Sequence, residues 1–334
     1  MISILIPCRN EERYIVGCIK SIQNFIIPED RETEILVIDG MSTDNTRFLI
    51  NRLIKDDSRI RMLDNPRFFQ VSALNIGIKE SSGSFILRLD AHAVYPENYI
   101  EKLYTTWDEI KADCVGGVIE TLPGADTFQA AIVQAITTHS FGVGNSSFRT
   151  GNSHGYKDTV PYGLFPKEVF QKYGYYNENL ISGEDYEMSS RIRLHGGKIW
   201  QNGDVVVQYF NQPALYKFYQ KQFVREGHYN VYMWYLAPYT FALRHAFPGV
   251  FAAGIIGGLI LSFFSNIFLY IYLSVLLLYG LLAVLSSVQQ AVRYRKLLFI
   301  PVLPLCFFGF HFLYGFGIIS GIFKIMLGLA PVKK

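Results

Sequence analysis

Four clusters of polar residues follow or open apolar stretches of this chain, and each has the composition of a ligand-handling turn. Asp39 closes the run Ile35-Leu36-Val37-Ile38. A carboxylate at a strand end can accept a hydrogen bond from the imide N–H of a nucleobase, and open α/β sheets bind ligands at such ends. Ser42 to Asp44 then cap the next helix, and for Asp44 a plain N-cap role is the first reading. Asp90 and His92 follow Leu87-Arg88-Leu89. An acid and a His two residues apart can face one divalent cation, which a diphosphate leaving group needs to neutralise developing charge. His is a softer ligand than Asp and favours transition metals over Mg2+. The competing reading makes His92 a polar loop residue. Ser182-Gly183-Glu184-Asp185-Tyr186-Glu187 opens a helix with Arg191 and Arg193 further along. The macrodipole alone favours acids there. The chemical alternative is a general base that reaches a hydroxyl at about 3 Å. Ile4-Leu5-Ile6-Pro7-Cys8-Arg9-Asn10-Glu11-Glu12 is the fourth cluster, a strand running into a polar turn.

These residues need a frame. Apolar runs at 2–6, 34–38, 60–63 and 85–89 read as strands, and amphipathic stretches near 11–25, 44–55, 71–80 and 97–110 read as helices. Alternation of this kind predicts βαβ units and a mostly parallel sheet. Residues 120–180 are rich in Gly, Ser, Asn and aromatics and read as the acceptor side of a cleft with mobile loops. A short helix over 183–195 and strands near 198–201 and 204–209 complete this part.

The formal net charge of +3 comes from 31 bases and 28 acids, and it is segregated. No acid follows Glu226, whereas Arg293, Arg295, Lys296, Lys324, Lys333 and Lys334 lie beyond Ala246. The chain before Ala246 is therefore slightly acidic and the tail basic. With 50% hydrophobic residues the chain is too apolar for disorder. An acidic N-terminal part argues against a broad nucleic-acid surface. Cys8, Cys18, Cys114 and Cys306 have no framework spacing and read as reduced thiols. The N-terminal run lacks a basic n-region and reads as a core strand rather than a signal peptide. Residues 213–235 mix aromatics with Lys and Arg, which suits a membrane interface. Residues 246–292 contain no Asp, Glu, Lys, Arg or His. That is length for two spans of about 20 residues, hinged near Ser265-Asn266. Residues 297–323 give a third candidate, interrupted by Pro301 and Pro304 and carrying His311. Arg244 and the Arg293–Lys296 bases put the N-terminal part in the cytoplasm by the positive-inside rule.

The motifs Ile-Pro-x-x-Asn-Glu-Glu at 6–12, Val-Ile-Asp-Gly-x-Ser-Thr-Asp at 37–44, Leu-Asp-Ala-His-Ala at 89–93 and Gly-Glu-Asp at 183–185 resemble the family 2 glycosyltransferases of GT-A fold. Phe141-Gly142-Val143-Gly144-Asn145-Ser146 and Asp158-Thr159-Val160-Pro161-Tyr162-Gly163 look like the bacterial succinoglycan-type exopolysaccharide transferases of that family. The resemblance implies a GT-A domain over 1–212, an interface helix region over 213–245 and about three transmembrane helices over 246–330. It implies that Pro7, Asn10, Glu11 and Asp39 line the nucleotide pocket, with Asp39 toward the base. Asp90 and His92 match the Asp-x-Asp metal motif, with His in place of the second Asp, and Asp90 thereby serves the nucleotide-sugar as well. Asp185 matches the catalytic base and Glu184 is its neighbour. Gln222 and Arg225 match part of the Gln-x-x-Arg-Trp segment of processive synthases. Glu226 stands where the Trp would be, so processivity is not inferred, and Arg225 is a candidate contact for an acceptor diphosphate.

What the resemblance implies is an inverting, membrane-bound transferase with its catalytic domain in the cytoplasm. It would use a nucleotide-diphosphate sugar, Mg2+ or Mn2+, and a polyprenyl-diphosphate-linked saccharide acceptor. Three alternatives differ in class or acceptor: transfer to polyprenyl monophosphate, a non-catalytic nucleotide-sugar-binding partner of an export complex, and, last, a processive synthase.

Overall fold

The computed structural model describes residues 1–330 apart from Asn145 and Asn152, and only the backbone of Ser147 and Thr150. Lys333 and Lys334 and the Asn145 position of the 141–146 motif therefore lie outside the described residues. In chain order the elements are β1 Ile2–Cys8, α1 Ile15–Gln23, β2 Thr33–Asp39, α2 Thr46–Asp56, β3 Ile60–Asp64, α3 Gln70–Glu80, β4 Phe85–Arg88, β5 Ala93–Val94, α4 Tyr99–Ile110 and β6 Cys114–Leu122. Then follow α5 Phe128–Thr137, α6 Ser140–Val143, α7 Ser147–Thr150, β7 Gly155–Tyr156, β8 Leu164–Pro166, α8 Glu168–Tyr173, α9 Glu184–Leu194 and β9 Ile199–Phe210. The remainder is helical: α10 Leu215–Lys221, a π-helix Gln222–Gly227, α11 His228–Leu236, a 3-10 turn Pro238–Thr240, α12 Leu243–Ser262, α13 Asn266–Tyr294 and α14 Phe299–Met326.

The chain divides into two compact units. The first contains residues 1–120 and 147–210, and the second contains 121–146 and 211–334. The first unit is built on one mixed sheet in the order β3-β2-β1-β4-β8-β6-β9-β5, with β7 on β9. Its β3-β2-β1-β4 half is parallel, and β8 runs antiparallel to β4 and β6. The parallel half follows from the sequence, because β1 and β2 are apolar on both faces and need cover on both. Ile4, Ile6, Ile35, Val37 and Leu87 share one core with Ile15, Cys18, Ile19 and Ile22 of α1. Leu5, Leu36, Ile38 and Ile86 face the other way, onto Val71, Leu74 and Ile78 of α3. The i, i+3, i+4, i+7 spacing in α1 is what a one-faced helix requires. Register sets Cys8 beside Asp39 and Asp39 beside Asp64, so three strands end level with their polar residues adjacent. The two strands expected near 198–201 and 204–209 are one strand, β9. Asn202 and Gly203 look like a turn in sequence, yet β9 carries alternating burial straight through them.

In the second unit, α12, α13 and α14 are long and apolar enough to cross a membrane. Ser265 caps α13 by accepting the Ile267 N–H, which gives the hinge between the first two helices its chemistry. The stretch 215–236 is helical throughout, with a π-turn at Gln222–Gly227 between α10 and α11. Residues 121–146, which read as loops beside a cleft, belong to this unit. Ala131, Ile132 and Ile136 of α5 share a core with Phe299, Leu303 and Phe307 of α14. Close helix contact depends on Gly315, where a Cβ would sit 1.8 Å from the Pro248 carbonyl oxygen and 2.8 Å from Ala252 Cβ. Gly315→Val is expected to destabilise the α12–α14 pair by about 1–3 kcal/mol or more. A lowered melting temperature of the detergent-solubilised protein checks this.

Candidate active site

The loops after β1 and β2 are latched together by side chains. Asn10 adopts φ 56°, a left-handed conformation that Asn tolerates better than most residues. Its N–H donates to Ser42 Oγ at 2.8 Å and its Oδ1 accepts from Thr43 N at 2.8 Å. Glu11 N donates to Thr46 Oγ1 at 2.8 Å, and Glu12 N to Asp44 Oδ2 at 3.2 Å. Asp44 Oδ1 also accepts from Thr46 N at 3.0 Å. Its partial burial opposes ionisation, but the Thr46 and Glu12 donors prevail and lower its pKa. The Asn-Glu-Glu and Ser-Thr-Asp motifs are thus partners in one latch.

Asp39 is fully buried. Its Oδ2 accepts from Ser42 N at 3.0 Å and from Arg47 Nη1 at 2.6 Å. The same Arg47 nitrogen reaches Asp64 Oδ1 at 2.8 Å. Burial first, and the neighbouring Asp39 charge second, push the Cys8 thiol up, so it remains protonated. Arg9 lies over the Phe68 ring at 4.7 Å beside this group. Asp39→Asn is expected to raise the donor KM about tenfold or more, since a hydrogen bond to a charged group contributes roughly 1.5–3 kcal/mol. Steady-state kinetics that left the donor KM unchanged would remove Asp39 and Arg47 from donor binding.

Asp90 follows β4. Its backbone N–H donates to Tyr95 Oη at 2.7 Å. Its Oδ1 accepts from Gln70 Nε2 and Arg88 Nη2, both at 3.3 Å. Among the described residues Oδ2 carries no hydrogen bond, and the side chain is 17% exposed. His92 Nδ1 lies 3.3 Å from Glu11 Oε1, bringing together residues 81 positions apart. The His92 ring also rests on Tyr209, at 5.4 Å between centroids.

Sequence reasoning missed Arg88. It ends β4, is only 8% exposed, and its Nε has no hydrogen-bond partner among the described residues. Burial works against its charge, but the carboxylates of Asp90, Asp185 and Glu184 outweigh burial and raise its pKa. The guanidinium bonds Asp90 directly and is under the influence of the Asp185 and Glu184 charges. Arg47 and Gln70 were also missed, each bonded to a predicted site acid.

Gly183, at φ 79°, turns the chain into α9, a conformation Gly adopts at little cost. Glu184 is buried and Asp185 is half-buried. Glu187 and Arg191 pair within the helix at 2.9 Å. Arg191 also donates to the Tyr173 and Tyr175 carbonyls at 2.6 and 2.9 Å, which fixes the helix on its neighbours. Gln222 and Arg225 lie on the π-helix of the second unit, both half-buried. Single π-turns recur at functional sites. Gly227 of that turn packs on α14, where a Cβ would meet Gly317 Cα at 2.8 Å.

A cation needs more ligands than one cluster of this chain supplies. Among the described residues no group of three His, Cys, Asp or Glu could hold a metal. Asp90 and His92 would hold a cation only with further ligands from outside the chain, such as phosphate oxygens and water. The unbonded Oδ2 of Asp90 is the hard oxygen such an ion requires.

Comparison with known proteins gives the same frame. The chain is 27% identical to the Methanococcus voltae dolichyl N-acetyl-alpha-D-glucosaminyl phosphate 3-beta-D-2,3-diacetamido-2,3-dideoxy-beta-D-glucuronosyltransferase, over 97% of each chain. It is 31% identical to the succinoglycan biosynthesis protein ExoA of Rhizobium meliloti (strain 1021) over 222 residues, 66% of each. The mannosyltransferase PcManGT of Pyrobaculum calidifontis, solved with GDP-Man and Mn2+, superposes with a TM-score of 0.53 at 16% identity, over 69% of this chain and 61% of that one. This likeness shows the GT-A fold. The profile of Glycosyl transferase family 2 matches residues 3–172, more than half of the sequence. The chain is a glycosyltransferase and belongs to glycosyl transferase family 2.

Proposed function

We propose that this enzyme transfers a sugar, with inversion, from a nucleoside-diphosphate donor to a saccharide carried on a polyprenyl diphosphate. The hydrogen bond of the buried Arg88 guanidinium to Asp90, with the charges of Asp185 and Glu184 also favouring its protonated form, carries this reading. It supports a reading in which a diphosphate-handling acid and a base candidate share the influence of one positive charge. The Methanococcus relative, whose printed name describes transfer to a dolichyl-linked sugar phosphate, matches nearly end to end and supports a lipid-linked acceptor.

Asp39, Arg47 and the latched loops bind the nucleoside. Asp185 takes the proton of the acceptor hydroxyl. The hydroxyl oxygen attacks the anomeric carbon from the face opposite the diphosphate, and the carbon–oxygen bond to the diphosphate breaks with its electron pair leaving on phosphate. Mg2+ or Mn2+ held by Asp90 and His92 would supply charge neutralisation to that diphosphate. Pre-set orientation and fixed charge account for most of the acceleration. The three long helices cross the plasma or inner membrane, and Arg293, Arg295 and Lys296 between the last two keep the catalytic unit cytoplasmic.

The test is a panel of nucleotide sugars scored for nucleotide diphosphate release, with and without membrane lipid extract, with Asp90→Ala as the control. Lipid-dependent release that Asp90→Ala abolishes supports the reading. No turnover of any donor with either metal sinks it. Because the name of the Methanococcus relative carries a single phosphate, a monophosphate-linked saccharide is the second acceptor to include.

A further inference from the structure

The second unit contains polar side chains that the donor chemistry does not use. α5 and α6 lie along α13 and α14. Gln290 Nε2 donates to the Ala135 carbonyl at 2.5 Å, and Thr138 Oγ1 shares a hydrogen bond with Tyr294 Oη at 2.9 Å. Arg293 Nη1 donates to the Thr138 carbonyl at 3.3 Å. His139 Nδ1 accepts from Phe141 N at 3.1 Å, so the neutral ring carries its proton on Nε2. Nε2 then donates to Gln289 Oε1 at 2.7 Å. This bond fixes the Gln289 amide with its oxygen toward His139 and its NH2 away from it. Gln289 and Arg293 are both exposed.

The segment continues along the apolar part of the helices. Phe141 meets Phe307 at 5.1 Å, His311 at 5.2 Å and Tyr279 at 5.4 Å. Tyr279 precedes Tyr294 by 15 residues (294 − 279) in α13, or about 22 Å of helix. The α5–α6 segment thus runs from the basic end of α13 toward its middle.

We infer that Gln289 and Arg293, with His139 orienting the Gln289 amide, form a site for the phosphate head of a membrane lipid. Gln289 and Arg293 are four residues apart and therefore neighbours on one helix face. An amide NH2 and a guanidinium one turn apart can grip two oxygens of one phosphate. Charge agrees: residues 246–330 contain no acid, and Arg295 and Lys296 are exposed in the adjoining turn. Compensation of the helix dipole would explain Arg293 alone. It gives no role to an oriented, exposed Gln289. The proposal rests on the lipid-linked acceptor reading and names where the phosphate of that lipid is held.

The experiment uses the full chain in phosphatidylcholine nanodiscs, with undecaprenyl phosphate, undecaprenol and inorganic phosphate as probes, for wild type, Arg293→Gln, Arg293→Lys and Gln289→Leu. Native mass spectrometry reads lipid binding, and steady-state kinetics read transfer. Wild type is expected to retain undecaprenyl phosphate over undecaprenol. Arg293→Gln should weaken that binding tenfold or more, Gln289→Leu severalfold, and Arg293→Lys least. Donor KM should not change in any variant, which separates a headgroup role from misfolding. Equal retention of undecaprenol, wild-type affinity in both neutral variants, or equal protection by inorganic phosphate at the same concentration would each overturn the site. If binding behaves as expected and no lipid-linked acceptor is glycosylated, the acceptor reading falls and the phosphate site stands.

Discussion

Asp185→Asn should reduce sugar transfer by about 10²–10⁴-fold, the usual contribution of a positioned general base, while leaving the donor KM nearly unchanged. The substitution keeps the size of the side chain, and its bond to the Tyr186 N–H, 2.7 Å at Oδ1 in the native protein, can be retained. Loss of transfer with intact donor binding, measured by rates and by nucleotide affinity on one preparation, assigns the proton abstraction to Asp185. Nearly full turnover would instead favour transfer to a phosphate acceptor, which is already ionised and needs no base. Glu184→Gln is the comparison, since Glu184 is buried and its charge is set against Arg88.

Arg88→Met should cost both stability and activity. The guanidinium bonds Asp90, and the charges of Asp185 and Glu184 favour its protonated form. Removing one partner of a buried ion pair costs roughly 3–5 kcal/mol, because the remaining charges have no substitute solvent. Thermal unfolding in detergent should shift down accordingly, and Mn2+ binding followed by electron paramagnetic resonance should weaken, because Asp90 loses the contact that orients it. Arg88→Lys should recover only part of this, having one compact ammonium where a planar fork bonds Asp90. Unchanged melting and unchanged Mn2+ binding in Arg88→Met would show that the acids do not depend on it.

The legible parts of the fold are those where burial dictates residue type. β1, β2 and β4 announce themselves as largely apolar runs, and the polar residues at their ends had to emerge at one edge of the sheet. The acids and His of the candidate site were readable for that reason. Arg88 was readable in principle, as a base inside an otherwise apolar strand, since a buried Arg is rare unless paired. Its partners were not, because α9 lies almost a hundred residues further along. Arg47 gave no signal, as an exposed-face position on α2 looks the same whether or not it bridges two acids. The assignment of α5 to the helical unit was also hidden. A ten-residue helix with seven apolar side chains suits a soluble core and a membrane-associated helix equally, and only the facing side chains of Phe299, Leu303 and Phe307 decide. The π-turn at Gln222–Gly227 has no compositional mark, and its Gly227 lies close against α14.

The packing of α5 on α14 has a consequence for biosynthesis. α5 ends at Thr137 and α14 begins at Phe299, so 161 residues (298 − 138 + 1) separate them on the ribosome. At about 5–20 residues per second, the apolar face of α5 waits roughly 8–32 s for its partner. Throughout that interval the nascent chain presents Ile132 and Ile136 without the side chains that later cover them. Expression of the catalytic portion alone would make that interval permanent.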